Sequence, residues 1–509
     1  MVILSLDLAN PPAWLLVAPA LLPLAGAGVL VALGRSPRLA GPIALIVLAL
    51  ALLADATLLR SVLLHGPASV TMGDWPPPFG ISFAADTLGA LFAVFAKLSA
   101  AAVAWAALGD EDARADQGFF VFLLVTVAGV SGAFLTGDVF NLYVWFEVFV
   151  IGSFGLVGLA RTAEALDGAI KYAVLNLVGT TLFLIAIGLL YGAFGTLNMA
   201  DIARKAPGVA QAGAPLGALA LLFLLAFATK AAVFPLQFWL PASYPTATPL
   251  TAALFGGLLT KVGVYAMLKV VVMLMPAAGA EWSGLISAAA CLTMLFGALG
   301  ALAQDDLRRT AGFLVIAGVG TMLAGIATGD RTGLAGTVFY AVQSMAATSA
   351  LFILVGAIGK AGGVSLQALG GLSHRSTLLA GCALVLALTI AGLPPGSGLW
   401  PKVLLVESSL AADRPYLTAA ILASSLVLIL ALGRMFMLAF WRPAPPGAMA
   451  ADRADERVTV TAPLAVLVSV GLVLGLWPEP FAQAAFSAAD GLIDPSRLID
   501  VVFPEGAAP

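Results

Sequence analysis

The sequence predicts an all-α integral membrane protein with about fourteen transmembrane helices, each near the 20 apolar residues needed to cross a hydrocarbon core. Three observations carry that expectation. The 509 residues are 61% hydrophobic and only 10% charged, with a mean hydropathy of +1.05, and a soluble chain of this length needs far more polar surface. Apolar runs of spanning length recur from one end of the chain to the other. The links between them are short, so they belong to one membrane domain and not to a string of modules.

Taken in order, the expected spans cover 13–34, 40–64, 82–108, 119–136, 138–160, 168–193, 214–240, 247–275, 282–303, 308–328, 333–359, 377–408, 416–441 and 458–482. The first run has no basic segment before it and many similar runs after it, so it reads as a span and not as a cleaved signal. The tail from 483 is mixed in character and is expected at the membrane interface. Four segments follow: 1–118 as an N-terminal three-helix unit, 119–275, 276–441, and 442–509 as a last helix and tail.

Loop lysines and arginines set the orientation. With the N-terminus outside, the cytoplasmic set is Arg35, Arg38, Arg114, Arg161, Lys171, Arg308, Arg309, Lys360, Arg375, Arg442, Arg453 and Arg457. The opposite set is Arg60, Arg204, Lys205, Arg331, Arg414 and Arg497. This predicts a multi-pass protein of a prokaryotic cytoplasmic membrane with both termini outside.

Two spans are interrupted at corresponding places. The seventh contains Phe234-Pro235 followed by Trp239-Leu240-Pro241, and the twelfth contains Gly392-Leu393-Pro394-Pro395-Gly396-Ser397-Gly398. Proline removes a backbone donor and clashes with the preceding turn, so neither run continues as helix. Broken helices at matching positions point to an internal repeat with ion sites at the breaks. Non-helical backbone at this depth persists only where protein or water satisfies it.

Several functions are excluded by what is scarce. Cys291 and Cys382 fall in separate spans, while His65 and His374 lie in or near loops. Two cysteines and two histidines form neither an iron–sulfur site nor a paired-histidine haem site. Neither a Walker A lysine nor a strand-borne dinucleotide fingerprint is present. No cofactor is expected. The net charge of -3 and the scattered basic residues give no nucleic-acid partner. Energy then comes from an ion gradient or from a partner subunit.

Against that background four charges stand out: Glu147, Lys230, Lys261 and Lys402. A charge at membrane depth is costly and is usually kept because it pairs, relays protons or lines an ion path. Glu147 follows Asp138 by nine residues, about two and a half turns, so Asp138 lies near one face and Glu147 deep. A carboxylate there either takes up a proton or is held ionised by a neighbouring ammonium. Lys230 precedes the Pro235 break, Lys261 lies mid-span among glycines, and Lys402 follows the Pro394-Pro395 break with Glu407 a turn and a half further on. Desolvation lets a lysine shed its proton near neutral pH, a change arginine cannot make. The competing interpretation is a set of static or snorkelling charges that order the bundle. Lys97 has no evident partner, Asp86 suits a helix cap, Lys171 and Arg434 can snorkel, and Lys269 is expected toward the outer surface. These five are read as structural.

Four segments in this order resemble a known family: Gly73-Asp74-Trp75-Pro76-Pro77-Pro78-Phe79-Gly80-Ile81, Thr136-Gly137-Asp138-Val139-Phe140-Asn141 through Glu147, Phe234-Pro235 through Pro241, and Ala253-Leu254-Phe255-Gly256-Gly257 through Tyr265. They are similar to the D-type component of the Mrp multisubunit cation/proton antiporter, itself related to the antiporter-like subunits of respiratory complex I. The resemblance implies fourteen helices in two inverted five-helix repeats with broken seventh and twelfth helices. It also implies a central polar axis on which Glu147, Lys230, Lys261 and Lys402 fall. Tyr244 stands where complex I relatives usually carry a histidine, which favours the Mrp branch. The eleventh span departs from the pattern. Relatives often carry a lysine or histidine there, and this chain offers Tyr340, Gln343, Ser344 and Thr348. The link from Lys261 to Lys402 then runs over water and hydroxyls, or it is lost.

The leading expectation is a proton-conducting subunit that exchanges a monovalent cation, sodium first, for protons within a hetero-oligomer of hydrophobic subunits. Glu147, Lys230, Lys261 and Lys402 form its pathway, with Asp138, Glu407, Gln343 and Thr348 as accessory positions. One alternative is a proton-pumping, non-redox membrane subunit of a complex I-type or hydrogenase-type oxidoreductase. The other is a structural subunit that has lost conduction.

Overall fold

A computed structural model describes residues 11–34, 37–160, 162–444 and 458–504. Arg35, Arg161, Arg453 and Arg457, used above for orientation, and both chain ends lie outside these residues. The elements run α1 (Ala13–Ala32), α2 (Pro37–His65), β1 (Ala68–Thr71), β2 (Ser82–Ala85), α3 (Thr87–Ala107), α4 (Glu111–Ala115), α5 (Gln117–Leu135), α6 (Val139–Gly158), α7 (Ala163–Phe194), α8 (Met199–Gln211), α9 (Leu216–Ala231) and α10 (Trp239–Ser243). They continue through α11 (Pro249–Leu254), α12 (Thr260–Ala266), α13 (Pro276–Glu281), α14 (Ser283–Ala303), α15 (Leu307–Thr328), α16 (Arg331–Gly362), α17 (Leu372–Arg375), α18 (Thr377–Ala391), α19 (Leu399–Ala411), α20 (Pro415–Phe436), α21 (Val458–Leu476), α22 (Glu479–Ile493) and α23 (Ser496–Val502).

Thirteen of the described helices are long and apolar enough to cross a membrane. The twelfth expected span is instead the pair α18 and α19, and α18 alone is too short. Helix starts follow side-chain caps. Asp86 accepts from Gly89 N, Asp138 from Asn141 N, and Asp306 from Arg308 N and Arg309 N, each satisfying a backbone donor that the first turn leaves free.

Two boundaries and the winding of one span differ from expectation. The third span does not begin at 82, because Ser82–Ala85 pairs antiparallel with Ala68–Thr71 and the helix waits for the Asp86 cap. The eighth is not uniform: Pro249–Met273 contains π-helical turns at Phe255–Leu259 and Met267–Met273. The last stops at Leu476, where Pro478 prevents continuation, and α22 starts afresh. That tail is strapped across both parts of the chain. Arg331 forks onto Asp490 at 2.5 and 2.9 Å, and Ser487 Oγ lies 3.2 Å from Thr87 Oγ1.

The interruptions share one geometry. Helix α9 ends with Ala232 left-handed (φ 61) and Val233 N donating to Ala228 O at 3.0 Å. Helix α18 ends with Gly392 left-handed (φ 84) and Leu393 N donating to Leu388 O at 2.8 Å. Both are left-handed C-terminal caps with a six-to-one bond, followed by cis Phe234-Pro235 and cis Pro394-Pro395. The most enclosed spans are Pro249–Met273, Leu307–Thr328 and Arg331–Lys360, each 94% buried, whereas Arg38–His65 is 33% buried. The centre of the molecule is therefore made by the segments that carry Lys261 and Thr348.

Candidate functional site

The three mid-depth lysines fall where helix geometry is irregular, and Glu147 lies within an unbroken helix. Glu147 is the ninth of the twenty residues of α6, and Lys261 is the thirteenth of the twenty-five from Pro249 to Met273. Lys230 sits in the last turn before the first break, and Lys402 follows the second. All three lysines are buried, while Glu147 is half-buried.

Glu147 and Lys230 are neighbours without a direct hydrogen bond. Lys230 Nζ donates to Asn176 Oδ1 at 2.9 Å and lies 6.0 Å from the Phe149 ring centre. The buried Glu147 Oε1 has no hydrogen-bond partner among the described residues. Asn176 does not stand out in the sequence, because a lone asparagine in an apolar run carries no signal until α7 packs on α9. Asn176 is itself held by donating to Tyr172 O at 2.8 Å.

Between Lys230 and Lys261 lies an aromatic cluster. Tyr172 contacts Trp239 (5.3 Å) and stacks on Phe255 (5.7 Å), and Tyr244 also meets both Trp239 and Phe255. Trp239 Nε1 donates to Thr229 O at 2.9 Å, so the break itself anchors the cluster. The Tyr244 hydroxyl and Gln237 Oε1 are buried without partners among the described residues. Left without a partner, such groups each cost about 1–3 kcal/mol.

Lys261 Nζ donates to Gly256 O at 2.6 Å, a carbonyl inside the π-helical turn, and lies 3.4 Å from Thr348 Oγ1. Thr348 in turn donates to Ser344 O at 2.6 Å. Lys261, Gln343, Ser344, Thr348 and Tyr340 line a cavity of about 20 Å³, enough for about one water. Its far wall includes Ile390, in the last turn of α18. Gln343 Oε1 accepts from Ser397 Oγ at 3.3 Å within the second break. Beyond it, Lys402 Nζ donates to Ala391 O at 2.7 Å and to Ser425 Oγ at 3.0 Å. The polar contacts from Lys261 to Lys402 thus consist of hydroxyls, one amide, carbonyls and room for a water.

Other positions separate from this row. Asp138 is a buried cap for α6. Glu407 is exposed on α19, away from the row. Lys97 does have a partner: Asp55 Oδ2 at 3.7 Å, both side chains fully buried. Pro23 has no N–H, which leaves Pro19 O without its intrahelical donor, and Lys97 Nζ supplies one at 2.8 Å. Lys269 is not at the surface but buried and paired with Asp86. Arg434 caps the end of α14 through Leu302 O and Gln304 O at 3.0 and 2.8 Å, and Lys171 pairs with Asp167 on an exposed face.

One face of the molecule carries an open vestibule of about 1640 Å³. Five carboxylates line it, from Asp110, Asp112, Asp116, Glu164 and Asp306, against Arg308, Arg309 and Lys360. Its floor includes Pro245 to Thr251, the chain that leads from the first break into the span of Lys261.

Residues 136–428 match the family described as "NADH:quinone oxidoreductase/Mrp antiporter, TM". The chain belongs to this family. It is 34% identical over 457 residues to the D component of the Na(+)/H(+) antiporter of Alkalihalophilus pseudofirmus, covering 89% of this chain and 92% of the relative. It is 33% identical over 493 residues to the protein of the same name in Bacillus subtilis, covering 96% and 99%. Among solved structures, a chain of the Mrp complex from Dietzia sp. superposes with a TM-score of 0.87 at 27% identity, covering 96% of this chain and 98% of that one. A chain of an archaeal membrane-bound sulfane sulfur reductase gives 0.86 at 25% identity, covering 96% and 99%. The family's fold is therefore common to antiporter and respiratory complexes, and the chain is a multi-pass membrane subunit of that class.

Proposed function

We propose that this chain is the proton-conducting subunit of a multisubunit monovalent cation/proton antiporter in a prokaryotic cytoplasmic membrane. It exchanges sodium for protons at the expense of the proton gradient. Both termini face outward, and 119–275 and 276–441 act as two inverted five-helix repeats. Its partners are other hydrophobic subunits of the same complex.

The observation that carries this reading is that Lys230, Lys261 and Lys402 each sit at an irregularity of the helix backbone. Lys230 precedes the first break, Lys261 is bonded to a carbonyl of a π-helical turn, and Lys402 is bonded to the last carbonyl before the second break. Such lysines can gain and lose a proton without vacating a hydrogen-bonded position. A proton reaching Glu147 changes the field on Lys230, which passes the change through Asn176 and the polar atoms of the aromatic cluster toward Lys261. Gln343, Thr348 and one water complete the link to Ser397 and Lys402. The relatives named as D components of Na(+)/H(+) antiporters support the choice of reaction.

In everted vesicles containing the assembled complex, Glu147→Ala or Lys230→Ala abolishes exchange. Unchanged exchange in both variants refutes the assignment. A comparison of sodium, potassium and lithium in proteoliposomes under an imposed pH gradient identifies the cation. The alternative of a redox-driven pump draws support from the likeness to the sulfane sulfur reductase chain. Cation exchange by a complex without electron-transfer subunits rules it out.

A further inference from the structure

The span from Pro249 to Met273 starts in the floor of the vestibule and ends roughly 35 Å away at 1.5 Å per residue. Lys261 is at its middle. Tyr265 and Lys269 follow at the next two helical steps, on one face of the helix, and both are buried. Tyr265 donates to Phe134 O at 2.6 Å, and its ring packs against Phe92 (5.6 Å) and Phe134 (4.9 Å), which closes the space beyond Lys261 with three rings. Past that plug the chain enters its second π-helical turn, where Lys269 forms an ion pair with Asp86. Asp86 divides its carboxylate, Oδ1 capping α3 through Gly89 N and Oδ2 meeting Lys269. It is the outward member of the pair, with 17% of its side chain exposed against 4% for Lys269. Helix α22 is fastened beside it by the Thr87–Ser487 contact.

A cap alone needs no lysine, and a buried lysine this close to a helix end needs no carboxylate where it can reach the interface. The two charges were kept together at the opposite end of the span that holds Lys261. We propose that the Asp86–Lys269 ion pair, with the Tyr265 ring cluster beneath it, is the gate through which protons or monovalent cations pass between the axis and the face opposite the vestibule. The inference rests on the proton-pathway reading above. The vestibule stands open while the pair and the rings are closed, so the structure corresponds to the state accessible from one side. Opening requires the pair to separate, and an ion arriving from the far face is what competes for Asp86.

The test uses the assembled complex in vesicles of both orientations, with sodium as the cation and a pH-sensitive dye as the readout. Asp86→Asn removes the charge and retains a side chain equally good as a cap, and Lys269→Gln removes the other member. Each variant is expected to change the apparent KM for ions taken from the far face at least fivefold, with the KM on the vestibule face and the amount of assembled complex unchanged. Equal effects on both faces, or none on either, overturn the gate. Loss of exchange in Glu147→Ala together with a normal Asp86→Asn removes the gate and leaves the pathway standing. Normal exchange in Glu147→Ala removes the pathway itself.

Discussion

Gly392→Ala is the sharpest perturbation available at the second break. Gly392 is left-handed at φ 84, and an L side chain in that region costs about 1–2 kcal/mol. The added Cβ also meets Lys402, at 2.7 Å from Cδ and 2.9 Å from Nζ. To make room, the ammonium has to leave Ala391 O, a charge-assisted bond that contributes about 1.5–3 kcal/mol. The two effects together give about 2.5–5 kcal/mol, less whatever water restores to the displaced lysine. Thermal unfolding of the purified complex should fall by several degrees, and exchange should fall severalfold, because the displaced Lys402 leaves the helix break that the proposed pathway crosses. The matching control is Ala232→Gly at the first break, where a non-glycine already stands at φ 61. That variant relieves strain but also removes a fully buried methyl group, which contributes about 0.8 kcal/mol, so it should be close to neutral. Normal exchange and normal stability in Gly392→Ala would refute the placement of Lys402 over the broken helix end.

Three further outcomes follow from the same structure. Asn176→Leu leaves Lys230 without its acceptor and should cut exchange at least tenfold with assembly intact, measured as sodium-driven proton movement. Thr348→Val and Gln343→Leu each remove a polar wall of the one-water cavity, and each should slow exchange severalfold while leaving the unfolding temperature within a few degrees. Asp201, at the start of the connecting helix α8, is buried: desolvation raises its pKa, but hydrogen bonds from Lys205 and Arg204 outweigh it and hold the carboxyl below its ordinary value. Its ionised form therefore stabilises the fold above the unfolded value of about 3.9. That contribution is lost as pH falls through the lower folded value. Asp201→Asn should lower the unfolding temperature at pH 7, and the difference from the parent should shrink as the pH falls below the ordinary carboxylate range and through the lowered folded value.

How much of this could be read from the chain depends on how local each cause is. Apolar runs gave the spans, and Pro235 and Pro394-Pro395 gave the breaks to within a few residues, because a missing backbone donor acts on the turn beside it. Lys230, Lys261 and Lys402 could be picked out for the same reason: an ammonium in an apolar run is visible without knowing its neighbours. The partners could not. Asp55 meets Lys97 only through the relative rotation of α2 and α3, and Asp86 reaches Lys269 across 183 residues of sequence. The strand at Ser82–Ala85 was hidden because so short a run suits helix and strand equally. Glu407 looked like a companion of Lys402 by sequence distance, but helical rotation carries it to the outside. Phe255-Gly256-Gly257-Leu258-Leu259 gave no hint of π-helical hydrogen bonding, since nothing in its composition separates it from an ordinary helix.

That widened turn has a consequence for how the middle of the protein tolerates change. Relative to a regular helix, it holds one residue too many. Deleting a single residue between Phe255 and Leu259 would let the segment relax into standard winding and leave the turns downstream at nearly the same angle, because the bulge alone absorbs the surplus residue. Lys261, Tyr265 and Lys269 would keep their neighbours, but the carbonyl of Gly256 that accepts from Lys261 would return to regular helix bonding. A one-codon loss here thus spares the helix and erases only the acceptor that the widened turn provides.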